Sequence, residues 1–246
     1  MNSIDENLFV ECLRAGVERT KGLLARLTEY HGGPVQTEYL LTADIAREFI
    51  ERDYEVAVEC LNRSLVNGLT ATNAREARKW LKSKRTDVAL IYTGLIPIGI
   101  IELKIGVSSL RKIQDDISKI KTTISLLKPQ FAHRTIGAVV FQVHVGGGRR
   151  RTYAHEFEKA VFAVEKRIRD SLTTYASNNK DFSLKMLPLQ GPGDGIVERA
   201  LEPDGDSLAW GEDGHATRYH AIIIRKPGSP TVITSFADLK AQAVKS

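Results

Sequence analysis

An apolar segment near the middle of the chain contains two charged residues of opposite sign, and this combination constrains the fold strongly. The segment, residues 97–105, is rich in isoleucine and is typical of a buried strand. Residues i and i+2 of a strand share a face, so Glu102 and Lys104 project together. Charges inside a sheet core are costly unless they are paired, solvated by a cleft or coordinated to a metal. The segment therefore predicts a compensating partner for these two side chains.

The preceding apolar segment offers such a partner. Residues 84–92 form a second apolar run with Asp87 near its start, and the short connection that follows contains Gly94, which predicts a hairpin. Antiparallel pairing brings the start of the first strand beside the end of the second. We therefore expect Asp87 to lie near Glu102 and Lys104. Two carboxylates and a lysine at adjoining strand ends form a hard-oxygen site that suits Mg²⁺.

A third acidic residue lies upstream, on a predicted helix. Leu41, Ile45 and Phe49 recur at i, i+4 and i+8, which is the pattern of a helix with one buried stripe. Glu38 lies one turn before Leu41 on the same stripe. We therefore expect the Glu38 carboxylate to point inward.

The order of these elements along the chain matches that of a known family. The order is a helix with Glu38, a strand over residues 54–60, a strand beginning at Asp87, a strand ending in Glu102-x-Lys104, then a helix and a strand. It resembles the PD-(D/E)xK, or restriction-endonuclease-like, nuclease superfamily over residues 34–145. The resemblance implies an α/β fold with an αβββαβ core, in which helices flank a mixed central sheet. Thr86 stands where the superfamily's name has proline, a position that varies among relatives.

The resemblance also implies an activity and its residues. It implies a metal-dependent nuclease that hydrolyses DNA phosphodiester bonds, with Mg²⁺ as the cofactor and Mn²⁺ as a substitute. Asp87, Glu102 and the backbone carbonyl of Leu103 would then hold the ion. Glu38 would act through water or at a second metal position, and Lys104 would orient the nucleophile or offset negative charge on the phosphorus.

The fold does not choose among the enzymes of this superfamily. By analogy we expect an endonuclease in restriction, phage defence or DNA processing, while exonuclease action and RNA as the substrate stay open. A simple two-strand cut by one site per subunit requires a homodimer, and a partner protein in a defence or repair system is a further expectation.

Each charged residue also has a structural interpretation. Glu102 and Lys104 can form a surface or cross-strand ion pair, Asp87 can cap a turn, and Glu38 can stabilise a helix N-terminus. Two alternatives to the nuclease therefore stay open. One is a noncatalytic nucleic-acid-binding or complex-assembly protein that keeps the nuclease fold. The other is a structural domain in which the four residues form a buried ion network.

Basic segments adjoin the predicted site. Residues 73–85 form a basic helix or loop that is either a solvated surface or a phosphate-contacting element, and we favour phosphate contact for Arg85. Arg149, Arg150 and Arg151 follow three glycines, and they either neutralise phosphates or belong to a surface loop.

The apolar pattern also predicts the remaining elements. Helices are expected over residues 4–30, 108–127 and 153–175, and strands over residues 135–145 and 219–224. Gln114 falls next to the apolar stripe of the second of these helices, where some relatives place a glutamine near the metal. The rest of residues 176–246 is rich in turn residues and predicts no chemistry.

Composition limits the class of protein. A chain of 246 residues with 42% hydrophobic residues favours one elaborated domain, with a helical segment at 1–33, the nuclease core at 34–145 and an extension at 146–246. The net charge of +5 and the pI of about 9.1 are compatible with a polyanionic partner. The sequence shows two cysteines without a CxxC pair, no basic leader and no apolar run long enough to span a membrane. These features predict a cytoplasmic protein without a membrane partner.

Overall fold

Helices lie on both faces of a mixed β-sheet, so the chain has the α/β architecture that its sequence predicts. The computed structural model describes residues 4–31, 37–61, 65, 84–92, 96–146, 154–191, 194–197 and 215–228. The helices are α1 (Glu6–His31), α2 (Thr37–Ile50), α3 (Gln114–Leu126), α4 (Pro129–Ala132) and α5 (Ala154–Ser177), and a 3₁₀ turn spans Leu110–Lys112. The strands are β1 (Glu55–Leu61), β2 (Arg85–Tyr92), β3 (Ile96–Lys104), β4 (Ile136–Gly146), β5 (Ser183–Pro188), β6 (Ile196–Val197) and β7 (His215–Arg225).

The sheet places β3 between one antiparallel and one parallel neighbour. Among the described strands the order is β1–β2–β3–β4–β7–β5, and β6 also pairs with β7. β2 and β3 pair antiparallel with Val88 opposite Ile101, which confirms the predicted pairing of these two strands. β3 and β4 pair parallel with Glu102 opposite Val139, and α3 and α4 lie in the crossover that parallel pairing requires. The start of β2 and the end of β3 therefore meet at one end of the sheet.

Two hydrophobic clusters hold the helices on the sheet. One cluster joins α1 and α2 to one face, and its members include Phe9, Leu13, Leu41, Ile45, Ile101 and Val140. The other joins α3 and α5 to the sheet, and its members include Ile100, Ile117, Ile120, Phe141, Ile168 and Ile222. The clusters lie on opposite faces, because Ile100 and Ile101 are successive residues of one strand. Glu102, two residues after Ile100, therefore projects toward the face that α3 covers.

The continuous helix predicted over residues 108–127 is wrong in its first turns. The chain forms a 3₁₀ turn at Leu110–Lys112, and Ile113 leaves the helical conformation with φ −119° and ψ 2° before α3 begins. Leu110 and Ile113 are both buried, and a spacing of three places them on one line in a 3₁₀ turn rather than in an α-helix. As a result α3 begins at Gln114 rather than at residue 108.

The C-terminal part adds strands to the same sheet. β7 is longer than the predicted 219–224 and pairs with β4 from Gly137 to Gly146. β5 was not predicted, because a six-residue strand that contains a lysine and ends in proline has a weak apolar pattern. In the described part of the chain, no helix has the length and apolar character needed to cross a membrane.

The close packing of α3 on β4 gives a test of this architecture. A Cβ at Gly137 would overlap Ile120 Cγ2 and would lie 3.3 Å from Ile224 Cβ. We expect Gly137→Ala to lower the free energy of unfolding by about 1–3 kcal/mol, because a close-packed core accepts extra atoms only with strain. Chemical denaturation with urea measures the change.

Gly22→Ala on α1 is the matched control. Nothing lies within 4 Å of a Cβ at Gly22, so the alanine should stabilise the helix by about 0.5–1 kcal/mol. A Gly137→Ala protein as stable as the wild type would contradict the described contact between α3 and the sheet.

Candidate active site

Asp87 and Glu102 lie side by side at the end of the sheet where β2 begins and β3 ends. The register pairs Val88 with Ile101, and its continuation by one residue sets Asp87 opposite Glu102. The Leu103 backbone N–H donates a hydrogen bond of 2.7 Å to Asp87 Oδ2. The structure thus brings together the two carboxylates that the hairpin pattern predicted to be neighbours.

Glu102 is a buried carboxylate with only one of its two oxygens paired. Its side chain is 2% exposed, and Lys119 Nζ of α3 forms an ion pair with Glu102 Oε2. The same ammonium group donates a hydrogen bond of 2.7 Å to the backbone carbonyl of Arg85, which links α3 to β2. Glu102 Oε1 is buried and has no hydrogen-bond partner. A bare carboxylate oxygen in the interior is costly, so it is an acceptor that a cation or donor would satisfy.

Burial raises the pKa values of both carboxyl groups. Burial raises the pKa of Glu102 from the usual 4.5 to about 8, opposed by the Lys119 charge and assisted by the Asp87 charge. Burial also raises the pKa of Asp87 from 3.8 to about 6, against the hydrogen bond from Leu103 and the Lys119 charge. A cation placed between the two groups would favour their ionised forms and reverse these shifts.

Lysines lie near the acidic groups at this end of the sheet. Lys104 is exposed at the end of β3, on the same face as Glu102. Asp116 lies one turn before Lys119 on α3 and is half-buried. Burial raises the pKa of Asp116, and the charges of Lys119, Lys104 and Lys84 oppose that rise. These lysines are therefore close enough to act electrostatically on the acidic groups of the site.

Two further glutamates act on Asp87 at longer range. The charge of Glu59 and that of Glu38 both contribute to the raised pKa of Asp87. Glu38 lies in the first turn of α2 and is half-buried, and its inward orientation stays a prediction. Glu59 lies on β1 across from Asp87, and its φ of 50° is in the left-handed region that residues with side chains rarely adopt. Arg85 is exposed, and its Nη1 lies 3.9 Å from Glu59 Oε2.

The arrangement can hold a metal ion only with the help of water or substrate. Within the residues that the structure describes, no three His, Cys, Asp or Glu side chains lie close enough together to hold a metal ion. Glu38 therefore does not join Asp87 and Glu102 as a third close carboxylate. Mg²⁺ keeps several waters and is often bound through one or two carboxylates. Asp87 and Glu102, with the unpartnered Oε1, meet that requirement, and the Leu103 carbonyl remains a predicted ligand.

The other predicted nucleic-acid contacts are exposed or lie outside the described residues. Gln114 is exposed at the start of α3, and its backbone carbonyl accepts a hydrogen bond from Ser118 Oγ. Arg149, Arg150 and Arg151 lie outside the described residues, as does the basic segment up to residue 83.

Lys119, which forms the ion pair with Glu102, was not among the site residues predicted from the sequence. It lies between Ile117 and Ile120 on the predicted helix, both of them buried. The available signal was a lysine at the border of an apolar stripe, and that signal alone does not distinguish a site residue from a solvated one.

Comparison of the chain with protein-family models, curated proteins and solved structures gives no match.

The raised pKa values predict how stability depends on pH in the absence of metal. A carboxyl with a raised pKa in the folded state binds its proton more tightly than in the unfolded state, so stability falls as pH rises. For Glu102 this fall should extend from about pH 4.5 to about pH 8. Across that window we expect the free energy of unfolding of the wild type to fall by on the order of 2–4 kcal/mol. Glu102→Gln should lack this fall.

Urea denaturation in EDTA at several pH values measures this difference. Glu158→Gln, which changes an exposed glutamate of α5, is the matched control and should leave the slope unchanged. Identical pH slopes for wild type and Glu102→Gln would contradict the burial of this carboxylate.

Proposed function

We propose that this protein is a metal-dependent nuclease with a restriction-endonuclease-like core, and that it hydrolyses DNA phosphodiester bonds. The observation that best supports the proposal is the pair formed by Asp87 and Glu102 at adjoining strand ends, with Glu102 Oε1 buried and unpartnered. Lys119 in contact with Glu102 and the exposed Lys104 at the end of the same strand add positive charge that favours a phosphate substrate.

Asp87 and Glu102 would hold Mg²⁺ or Mn²⁺, with the Leu103 carbonyl as a further oxygen donor. When bound, such an ion polarises a phosphoryl oxygen and lowers the pKa of a bound water. The hydrogen bond from the Leu103 N–H orients the Asp87 carboxylate for this role. The exposed ammonium of Lys104 would offset negative charge on the phosphate as the bond breaks. We assign Lys104 an electrostatic role before that of a base.

Charge around the site supports a nucleic acid as the substrate. In the described part of the chain, Lys119 contacts Glu102, and the charges of Lys84 and Lys104 act on the nearby Asp116. Arg85 is exposed two residues before Asp87. The net charge of +5 adds a general attraction for a polyanion. An endonuclease in restriction, phage defence or DNA processing is the role we propose by analogy, acting as a homodimer where both strands are cut.

The ion pair between Glu102 and Lys119 also favours a second candidate. In that case the site is a structural ion network in a protein that binds nucleic acid without cutting it. Such a protein would bind DNA with a strong dependence on salt and would show no cleavage with any divalent metal.

Cleavage assays on supercoiled plasmid, linear duplex and single-stranded DNA in Mg²⁺, Mn²⁺ or EDTA distinguish these functions. We expect cleavage that requires the metal. Glu102→Gln should slow it by at least about 100-fold, since changing even a residue that only supports a metal ligand costs ~10- to 100-fold. The products separate nicking, double-strand cutting and digestion from ends.

Glu158→Gln is the control, because it removes a carboxylate of the same size at an exposed position on α5. It should cleave like the wild type, and circular dichroism should show both variants folded. Full cleavage by Glu102→Gln would overturn the assignment. DNA binding without cleavage in any metal would favour the noncatalytic protein.

A further inference from the structure

We propose that Lys119 and a divalent metal ion are alternative counter-ions of Glu102, so that metal binding displaces the Lys119 ammonium group from the carboxylate. This inference rests on the proposed function, because it concerns the same metal site. Lys119 is then a positioning residue, because its ammonium group holds the Glu102 carboxylate in place in the metal-free protein.

The position of Lys119 is set by two contacts on different strands. Its Nζ forms an ion pair with Glu102 Oε2 on β3 and donates a hydrogen bond to the Arg85 carbonyl on β2. Both contacts lie at the strand ends where Asp87 and Glu102 meet. The ammonium thus occupies the side of the carboxylate pair that faces α3.

The ion pair leaves Glu102 incompletely satisfied. The Glu102 side chain is 2% exposed and that of Lys119 is 14% exposed, so water gives little help to either charge. Oε2 has the ammonium group as its partner, and Oε1 has no hydrogen-bond partner. The Lys119 ammonium group thus supplies one positive charge to a region that holds the carboxyl groups of Asp87 and Glu102 and, nearby, that of Asp116. A divalent ion would neutralise this region more completely.

Lys104 does not provide this counter-charge. Its side chain is exposed, and within the described residues it forms no ion pair with Glu102 or Asp87. Its charge acts on Asp116 only at a distance. Lys104, the lysine of the predicted motif, is therefore available to interact with the substrate. Lys119 supplies the positive charge in contact with Glu102.

An ammonium group and a divalent ion cannot share this carboxylate at low cost. Like charges a few ångströms apart repel strongly where water is scarce. Lysine carries its charge on a flexible four-carbon stem, so Nζ can leave Glu102 while Ile117 and Ile120 keep α3 packed on the sheet. The free energy lost with the ion pair reduces the apparent affinity for the metal.

The test compares Lys119→Met with Lys104→Met, which removes the same charge from the neighbouring lysine. Mn²⁺ affinity is measured by electron paramagnetic resonance of free Mn²⁺, and thermal unfolding is followed in EDTA and in Mn²⁺. We expect Lys119→Met to bind Mn²⁺ about tenfold more tightly than the wild type. In EDTA it should unfold at a lower temperature than the wild type, and saturating Mn²⁺ should restore most of that loss.

Lys104→Met should unfold at nearly the wild-type temperature in EDTA and should show a smaller change in Mn²⁺ affinity than Lys119→Met. Wild-type protein that binds Mn²⁺, with Lys119→Met binding it no more tightly, would overturn the inference and leave the metal site in place. Absence of Mn²⁺ binding in every protein would overturn the inference and the proposed function together. If Lys119→Met does not fold, Lys119→Arg keeps the charge and should bind Mn²⁺ no more tightly than the wild type; tighter binding would overturn the inference.

Discussion

The burial of Glu102 is the constraint on which the site depends. A carboxylate that is 2% exposed on a strand between two others must be protonated, paired with a cation or bound to a metal. The protein provides Lys119 from α3 as a partner and leaves Oε1 unsatisfied. Asp87 beside it adds a second carboxyl whose pKa is also raised by burial. The stability of this region in the absence of metal and its proposed affinity for metal thus follow from the same local charge.

The topology of the sheet explains why these groups meet. The antiparallel pairing of β2 with β3 sets Asp87 opposite Glu102, and the parallel pairing of β3 with β4 requires a crossover that contains α3. The crossover returns over the face that holds Glu102, and the buried residues Ile117 and Ile120 bring Lys119 to the strand ends. One acidic pair and one lysine are thus assembled by three successive elements of the core.

The sequence predicted that the two carboxylates on β2 and β3 would be neighbours, but it did not predict the contact of Lys119 on α3 with Glu102. Alternation along two apolar strands and a short turn predicted that Asp87 would lie near Glu102. The exact pairing also depends on the irregularity between Leu90 and Ile91, which shifts the register by one residue and has no clear signal in the sequence. The helical stripe predicted that α3 would be amphipathic. It did not predict that Lys119 would reach Glu102, because that contact depends on the 3₁₀ turn before α3 and on how the helix crosses the sheet. The unusual backbone of Glu59 has no sequence signal.

Anomalous scattering from crystals soaked in Mn²⁺ shows whether Asp87 and Glu102 form a metal site. We expect one strong manganese peak bound by the carboxylates of Asp87 and Glu102, with Lys119 Nζ moved away from Glu102. An intact pair between Glu102 and Lys119, with no peak at the two carboxylates at saturating Mn²⁺, would contradict the claim that these strand ends form a metal site.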